Sequence, residues 1–184
     1  LICLKSSINC YFWKKNLLML QVAVAVLYFI NKVLLSLEKK SGWQIGILAS
    51  SLAIFYFYSL DLYLLVGLEV GFMWILIFGL INHNQEIKYE NMLYLVMILL
   101  LVFLYFVLKN STILEFLISL DFILAIFFLA KKKVLIGWII MLLGHLMMGY
   151  FTYTSHQTFF AVMQFLSVFV SLFAIYRNWP VKAQ

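Results

Sequence analysis

Charge is what this sequence has least of. Only 11% of its 184 residues are Asp, Glu, Lys or Arg, whereas soluble domains carry about 25%. A chain with so little polar surface cannot coat a soluble particle of its size. Cysteine is equally scarce. Two residues, Cys3 and Cys10, are too few for a secreted disulfide scaffold, and both precede the first long apolar run, where they read as free thiols. Catalytic signatures are missing as well. There is no His-Glu-x-x-His for a zinc protease, no Gly-x-Ser-x-Gly elbow and no Walker loop, so no ATP-driven step and no cofactor is implied. The three histidines come without a Cys cluster. His156 falls in an outer turn, which argues against His145 and His156 as paired metal or haem ligands.

What is present is apolar: 66% hydrophobic residues and a mean hydropathy of +1.07. Disorder is excluded. The runs are continuous rather than alternating, so helices are expected instead of a membrane barrel. Seven candidate spans emerge: Leu17 to Leu37, Trp43 to Leu60, Leu62 to Ile81, Met92 to Leu108, Thr112 to Ala130, Val134 to Thr154 and Thr158 to Tyr176. Each has about the length that one hydrocarbon crossing demands. The breaks are short, so consecutive helices are antiparallel neighbours. The slightest break is the single Asp61, where a re-entrant hairpin competes with two separate spans. The chain begins at Leu1, as a fragment or an unusual start would. Its first apolar run is too long for a cleaved signal core and reads as a retained span.

The net charge of +6 reads as topology and lipid attraction rather than nucleic-acid binding, because most basic residues sit at segment ends. One side carries Lys5, Lys14, Lys15 and Lys109. The other carries Lys39, Lys40, Lys88, Lys131, Lys132, Lys133, Arg177 and Lys182, and the richer side is expected to be cytoplasmic. The N-terminus is then outside and the C-terminus inside.

An offset of 95 residues carries Gly42-Trp43 onto Gly137-Trp138, Tyr58 onto Tyr153, Asp61 onto His156 and Glu69 onto Gln164. The expected architecture is therefore all-α, with seven transmembrane helices in a 3+1+3 arrangement of parallel pseudo-repeats. Residues 1–16 form an outer interfacial segment, 17–81 the first three-helix unit, 92–108 a linker helix, 112–176 the second unit and 177–184 a cytoplasmic tail.

Polar residues inside spans are costly and persist where they face a cavity or a partner. Glu69, Asp121, His145 and Gln164 fall at similar depth. Gln21, Ala25, Tyr28 and Lys32 follow i, i+4, i+7, i+11 spacing, one stripe of the first helix. Together they describe a polar site on the bundle axis. The plainer alternatives are that Lys32 snorkels, that Ser50 and Ser51 serve helix packing, that Glu69 and Asp121 form a structural pair with Lys32 or are neutral acids, and that His145 is a bonded core residue.

From Lys39 to Gly79 and from Ile113 to Trp179 the sequence resembles the PnuC family of vitamin-precursor transporters. The first stretch carries Gly42-Trp43-Gln44-Ile45-Gly46-Ile47-Leu48-Ala49-Ser50-Ser51, then Leu62-Tyr63, Glu69 and Gly79. The second carries Lys131-Lys132-Lys133, Gly137-Trp138 and Ala174-Ile175-Tyr176-Arg177-Asn178-Trp179. The resemblance implies a fold like that of the SWEET sugar transporters. It implies facilitated diffusion of nicotinamide riboside or a related vitamin such as thiamine, trapped inside by a cytosolic kinase. A homo-oligomer is compatible with it. Family members carry a second Trp where Met141 stands, an Asn where His145 stands and a Gln where Glu69 stands. The expected solute site comprises Trp138, Met141 and His145 on one face of the sixth helix, with Glu69, Asp121, Gln164 and Trp43. A flat cationic ring would stack on Trp138 with Glu69 or Asp121 as its anion. A proton-coupled carrier using Glu69, Asp121 and His145, and a non-transporting membrane subunit or small intramembrane enzyme, are the competing readings.

Overall fold

The computed structural model describes residues 7–60, 63–84, 90–107, 112–154 and 158–179. Among these there are seven helices and no strand. They are α1 (Ser7–Ser36), α2 (Lys40–Ser59), α3 (Tyr63–Ile81), α4 (Glu90–Val107), α5 (Ile113–Ala130), α6 (Val134–Thr154) and α7 (Thr158–Asn178). Three described stretches, Leu17–Ser36, Val134–Thr154 and Ala161–Asn178, are long and apolar enough to cross a membrane. Val66–Ile81, Glu90–Phe106 and Phe116–Ala130 are shorter apolar helices. The expected break at Asp61 lies outside the described residues, as do Cys3 and His156. α1 begins well before the expected start at Leu17, because no Gly or Pro interrupts the chain from Ser7 onward.

Helices α1, α2 and α3 pack in sequence order, and so do α5, α6 and α7. Two seams join the triplets, α1 against α7 and α3 against α5. α4 touches α3 and α5 from the side. Its buried Leu93, Met97, Leu100 and Leu104 recur at i, i+4, i+7, i+11, the spacing of a single stripe. Leu100 of this stripe and Phe103 press onto Gly71 and Gly67 of α3, where an added Cβ would collide with the two side chains. Small residues at such a contact let helices without a hydrophobic driving force approach closely.

The turns after α1 and α5 are alike. Glu38 N–H donates to Leu35 O at 2.9 Å and Lys39 N–H to Leu34 O at 2.9 Å. Lys132 N–H donates to Leu129 O at 3.0 Å and Lys133 N–H to Phe128 O at 2.9 Å, the same pair of bonds 94 residues on. Both are Schellman ends, which satisfy the last helix carbonyls through one left-handed residue. That residue is usually glycine. Here it is Glu38 at φ 56° and Lys132 at φ 57°. The left-handed region costs an ordinary residue about 1–2 kcal/mol. Both side chains are exposed. Glu38→Gly is therefore expected to raise the Tm in detergent by about 2–4 °C, as about 1 kcal/mol should for a chain of this length. A lowered Tm contradicts this account of the turn.

At the same end of the bundle, Lys131 Nζ forms an ion pair with Glu90 Oε1 at 2.5 Å, bonds the Tyr94 hydroxyl, and lies 4.5 Å from the centre of the Tyr94 ring. The start of α4 is thereby tied to the α5–α6 turn. The hydrogen bond and the charge of Lys131 hold the Glu90 carboxyl below its ordinary range, and the bond to Glu90 holds Lys131 above its own. A depressed acid stabilises the fold above its unfolded value and loses that contribution as pH falls through its folded value. A raised lysine loses its contribution only as pH rises through its folded value. Amide protection in the first turn of α4, taken relative to the intrinsic exchange rate at each pH, is expected to fall on acidification through the depressed Glu90 value. In Glu90→Gln the protection should already be low and insensitive to that step.

Candidate functional site

The six helices other than α4 close around a cavity of about 250 Å³. Its wall is largely apolar, with Phe29, Phe72, Phe122 and Met141 among its members. Set into it are Gln21, Tyr28 and Lys32 of α1, Ser50 of α2, Glu69 of α3, and Gln164 and Ser167 of α7. All four members of the α1 stripe, Gln21, Ala25, Tyr28 and Lys32, reach this wall. One helix face accounts for that, because successive members lie a turn apart.

Glu69 is held by hydroxyls. Tyr28 donates its phenolic proton to the Glu69 carboxylate. Its oxygen lies 2.9 Å from Ser50 Oγ, and since Tyr28 has already spent its proton, Ser50 is the donor there. Lys32 Nζ donates to Ser167 Oγ at 3.2 Å. It is turned inward rather than toward the membrane surface, so the snorkelling alternative does not describe it. Nor does an ion pair with either acid. Among the described residues the ion pair within 4.0 Å is Lys131 with Glu90.

In the second unit His145 Nδ1 lies 2.7 Å from Gln164 Oε1. The amide oxygen can only accept, so Nδ1 carries the proton and Nε2 keeps its lone pair. That Nε2 is buried without a partner among the described residues, and the ring packs on Phe122 at 5.1 Å between centroids. Ser50 and His145 are 95 residues apart, as are Glu69 and Gln164. The two units thus bring the same two positions together, once through Tyr28 and once directly.

The expected site residues divide. Glu69, Met141 and Gln164 line the cavity, and His145 stands behind Gln164, fully buried. Trp138 is only 1% exposed and does not line the cavity; it lies in the core, its Nε1 unpartnered. α6 is clasped between α5 and α7, so the face shared by Trp138, Met141 and His145 is covered except at Met141. Asp121 also stands off the wall. It packs over Gly144, where a Cβ would run into its Oδ2, and that oxygen has no partner. Trp43 belongs elsewhere. Its ring covers Gly79 and lines a second cavity of about 360 Å³ at the end of the bundle that holds the Glu38 and Lys132 turns, with Glu38, Asn82, His83 and Lys132. The residues that spacing alone undervalued are Ser50, Lys32 and Ser167. For Ser50 a signal existed, its alignment with His145 in the repeat. For Ser167 there was none, because a serine in an apolar helix bonds its own backbone, as Ser167 also does to Met163 O at 2.9 Å.

Nothing among the described residues groups three metal-ligating side chains. The wall offers one acid, one amine, amides, hydroxyls and flat apolar surface. That set can bind and orient a small aromatic solute with polar substituents. No protein-family model, no curated protein and no solved structure matches the chain.

Proposed function

We propose that the chain is a seven-span membrane transporter that carries a small aromatic vitamin precursor, such as nicotinamide riboside or thiamine, by facilitated diffusion through the central cavity. The observation that carries this reading is the cavity itself. Six helices of a strongly apolar chain turn Gln21, Lys32, Glu69 and Gln164 toward one shared space, although each costs free energy inside a membrane. Packing alone would favour filling that space with apolar side chains.

The arrangement in two units supports a carrier that rocks about a midplane site. The paired turns at Glu38 and Lys132 and the matched seams support reading α1–α3 and α5–α7 as parallel repeats joined by α4. On this reading the protein lies in the cell membrane, the inner one where there are two, with its N-terminus outside. Net uptake is then drawn by a cytosolic kinase that phosphorylates the arriving solute, and the protein itself performs no chemical step. Counterflow of labelled nicotinamide riboside and thiamine into liposomes holding only this protein tests the reading. Saturable exchange is expected, and its absence across a panel of vitamins and nucleosides refutes it.

A proton-coupled version draws on one further observation, that Glu69 and Lys32 both face the cavity. Accumulation driven by an imposed pH gradient and abolished by an ionophore separates it from facilitated diffusion.

A further inference from the structure

The two ionisable groups on the cavity wall, Glu69 and Lys32, do not serve each other. No cation lies within 4.0 Å of Glu69 and no carboxylate within 4.0 Å of Lys32 among the described residues. Each is held only by hydroxyls, Glu69 by Tyr28, which Ser50 supports, and Lys32 by Ser167. The spacing is built into α1. Tyr28, which carries Glu69, and Lys32 are four residues apart on one face, a rise of about 6 Å. Tyr28 reaches toward α2 and α3, whereas Lys32 reaches across the seam to α7. The same cavity wall carries the apolar side chains of Phe72, Phe122 and Met141.

A charge in a low-dielectric space is stabilised far better by an opposite charge than by a hydroxyl. An uncharged solute would leave both wall charges without a counter-ion. A purely cationic solute would satisfy Glu69 alone, and an anionic one Lys32 alone. We propose that the cavity binds an ampholytic aromatic solute, with its cationic group at Glu69, its anionic group at Lys32 and its ring on the apolar wall. This rests on the central cavity being the solute site, and it puts an ampholyte in place of the purely cationic solutes named above.

Four compounds on one pyridine ring separate the cases: N-methylnicotinate carries both charges, N-methylnicotinamide a positive charge, nicotinate a negative charge and nicotinamide none. Calorimetric titration of the purified protein in lipid nanodiscs is expected to show N-methylnicotinate binding at least tenfold tighter than the other three. In Glu69→Gln the preference should move to nicotinate, and in Lys32→Gln to N-methylnicotinamide. Equal affinities for the four, binding of none, or a uniform weakening of all four in both variants overturns the inference. Should either variant fail to fold, the wild-type series alone decides. Counterflow of the same compounds keeps the two conclusions apart. Exchange without charge preference removes the ampholyte and leaves the transporter; charge-selective binding without exchange does the reverse.

Discussion

Ala25→Trp is expected to reduce counterflow at least a hundredfold while leaving the protein folded. Ala25 lies on the cavity wall between Gln21 and Tyr28, two turns from Lys32 on the same stripe. An indole there projects into a space of about 250 Å³ and takes up much of it. The substitution adds no charge, removes no hydrogen bond and keeps a helix-compatible residue. If the cavity is the route, solute and indole compete for one volume. If the cavity is an incidental packing void, filling it with apolar surface should raise thermal stability and leave exchange intact. Counterflow and Tm measured together distinguish these outcomes, and unimpaired exchange with a raised Tm would sink the proposed role of the cavity.

Trp138 should behave in the opposite way, as a residue of the fold and not of the site. It is 1% exposed and is among the largest fully buried side chains of the molecule. Trp138→Ala leaves a cavity in a bundle whose neighbours cannot collapse to fill it, a loss of about 3–5 kcal/mol. Purified yield and Tm should fall sharply. Trp138→Phe keeps most of the ring area and removes an indole N–H that is buried without a partner. Removing an unsatisfied donor offsets part of the lost packing, so this variant should fold and retain near-normal exchange. A folded Trp138→Phe protein with an abolished solute affinity would instead return Trp138 to the stacking role that the family resemblance implies.

The helical architecture was legible in the sequence to within a few residues at nearly every boundary, because each apolar run ends at a charge, an amide or a short polar turn. The structural helices α2 and α6 end at Ser59 and Thr154, the 95-residue offset read from Gly-Trp, and α3 and α7 start at the same offset, at Tyr63 and Thr158. The exception is α1, whose start at Ser7 carries no apolar signature since the residues before Leu17 are mixed. The site was legible in part. Glu69 and Gln164 stand out because an acid or amide in a span needs a reason to be there. The α1 stripe stands out by period. Spacing on one helix, however, says that Trp138, Met141 and His145 share a face without saying what covers it. α5 and α7 cover two of the three, and Met141 alone meets the cavity.

Composition by itself determined that this chain must bury its backbone in helices and that its few charges mark either a surface or a site. Periodicity determined which residues share a face. Neither could decide the partners of those charges, because a hydrogen bond between helices depends on how the helices are packed side by side. Only the tertiary structure turned Lys32 toward Ser167 instead of the membrane surface, set Glu69 on Tyr28 instead of on Lys32, and withdrew Asp121 to a niche over Gly144. Of the scarce ionisable residues from which the sequence was read, two, Lys32 of α1 and Glu69 of α3, face the space at the centre of the bundle.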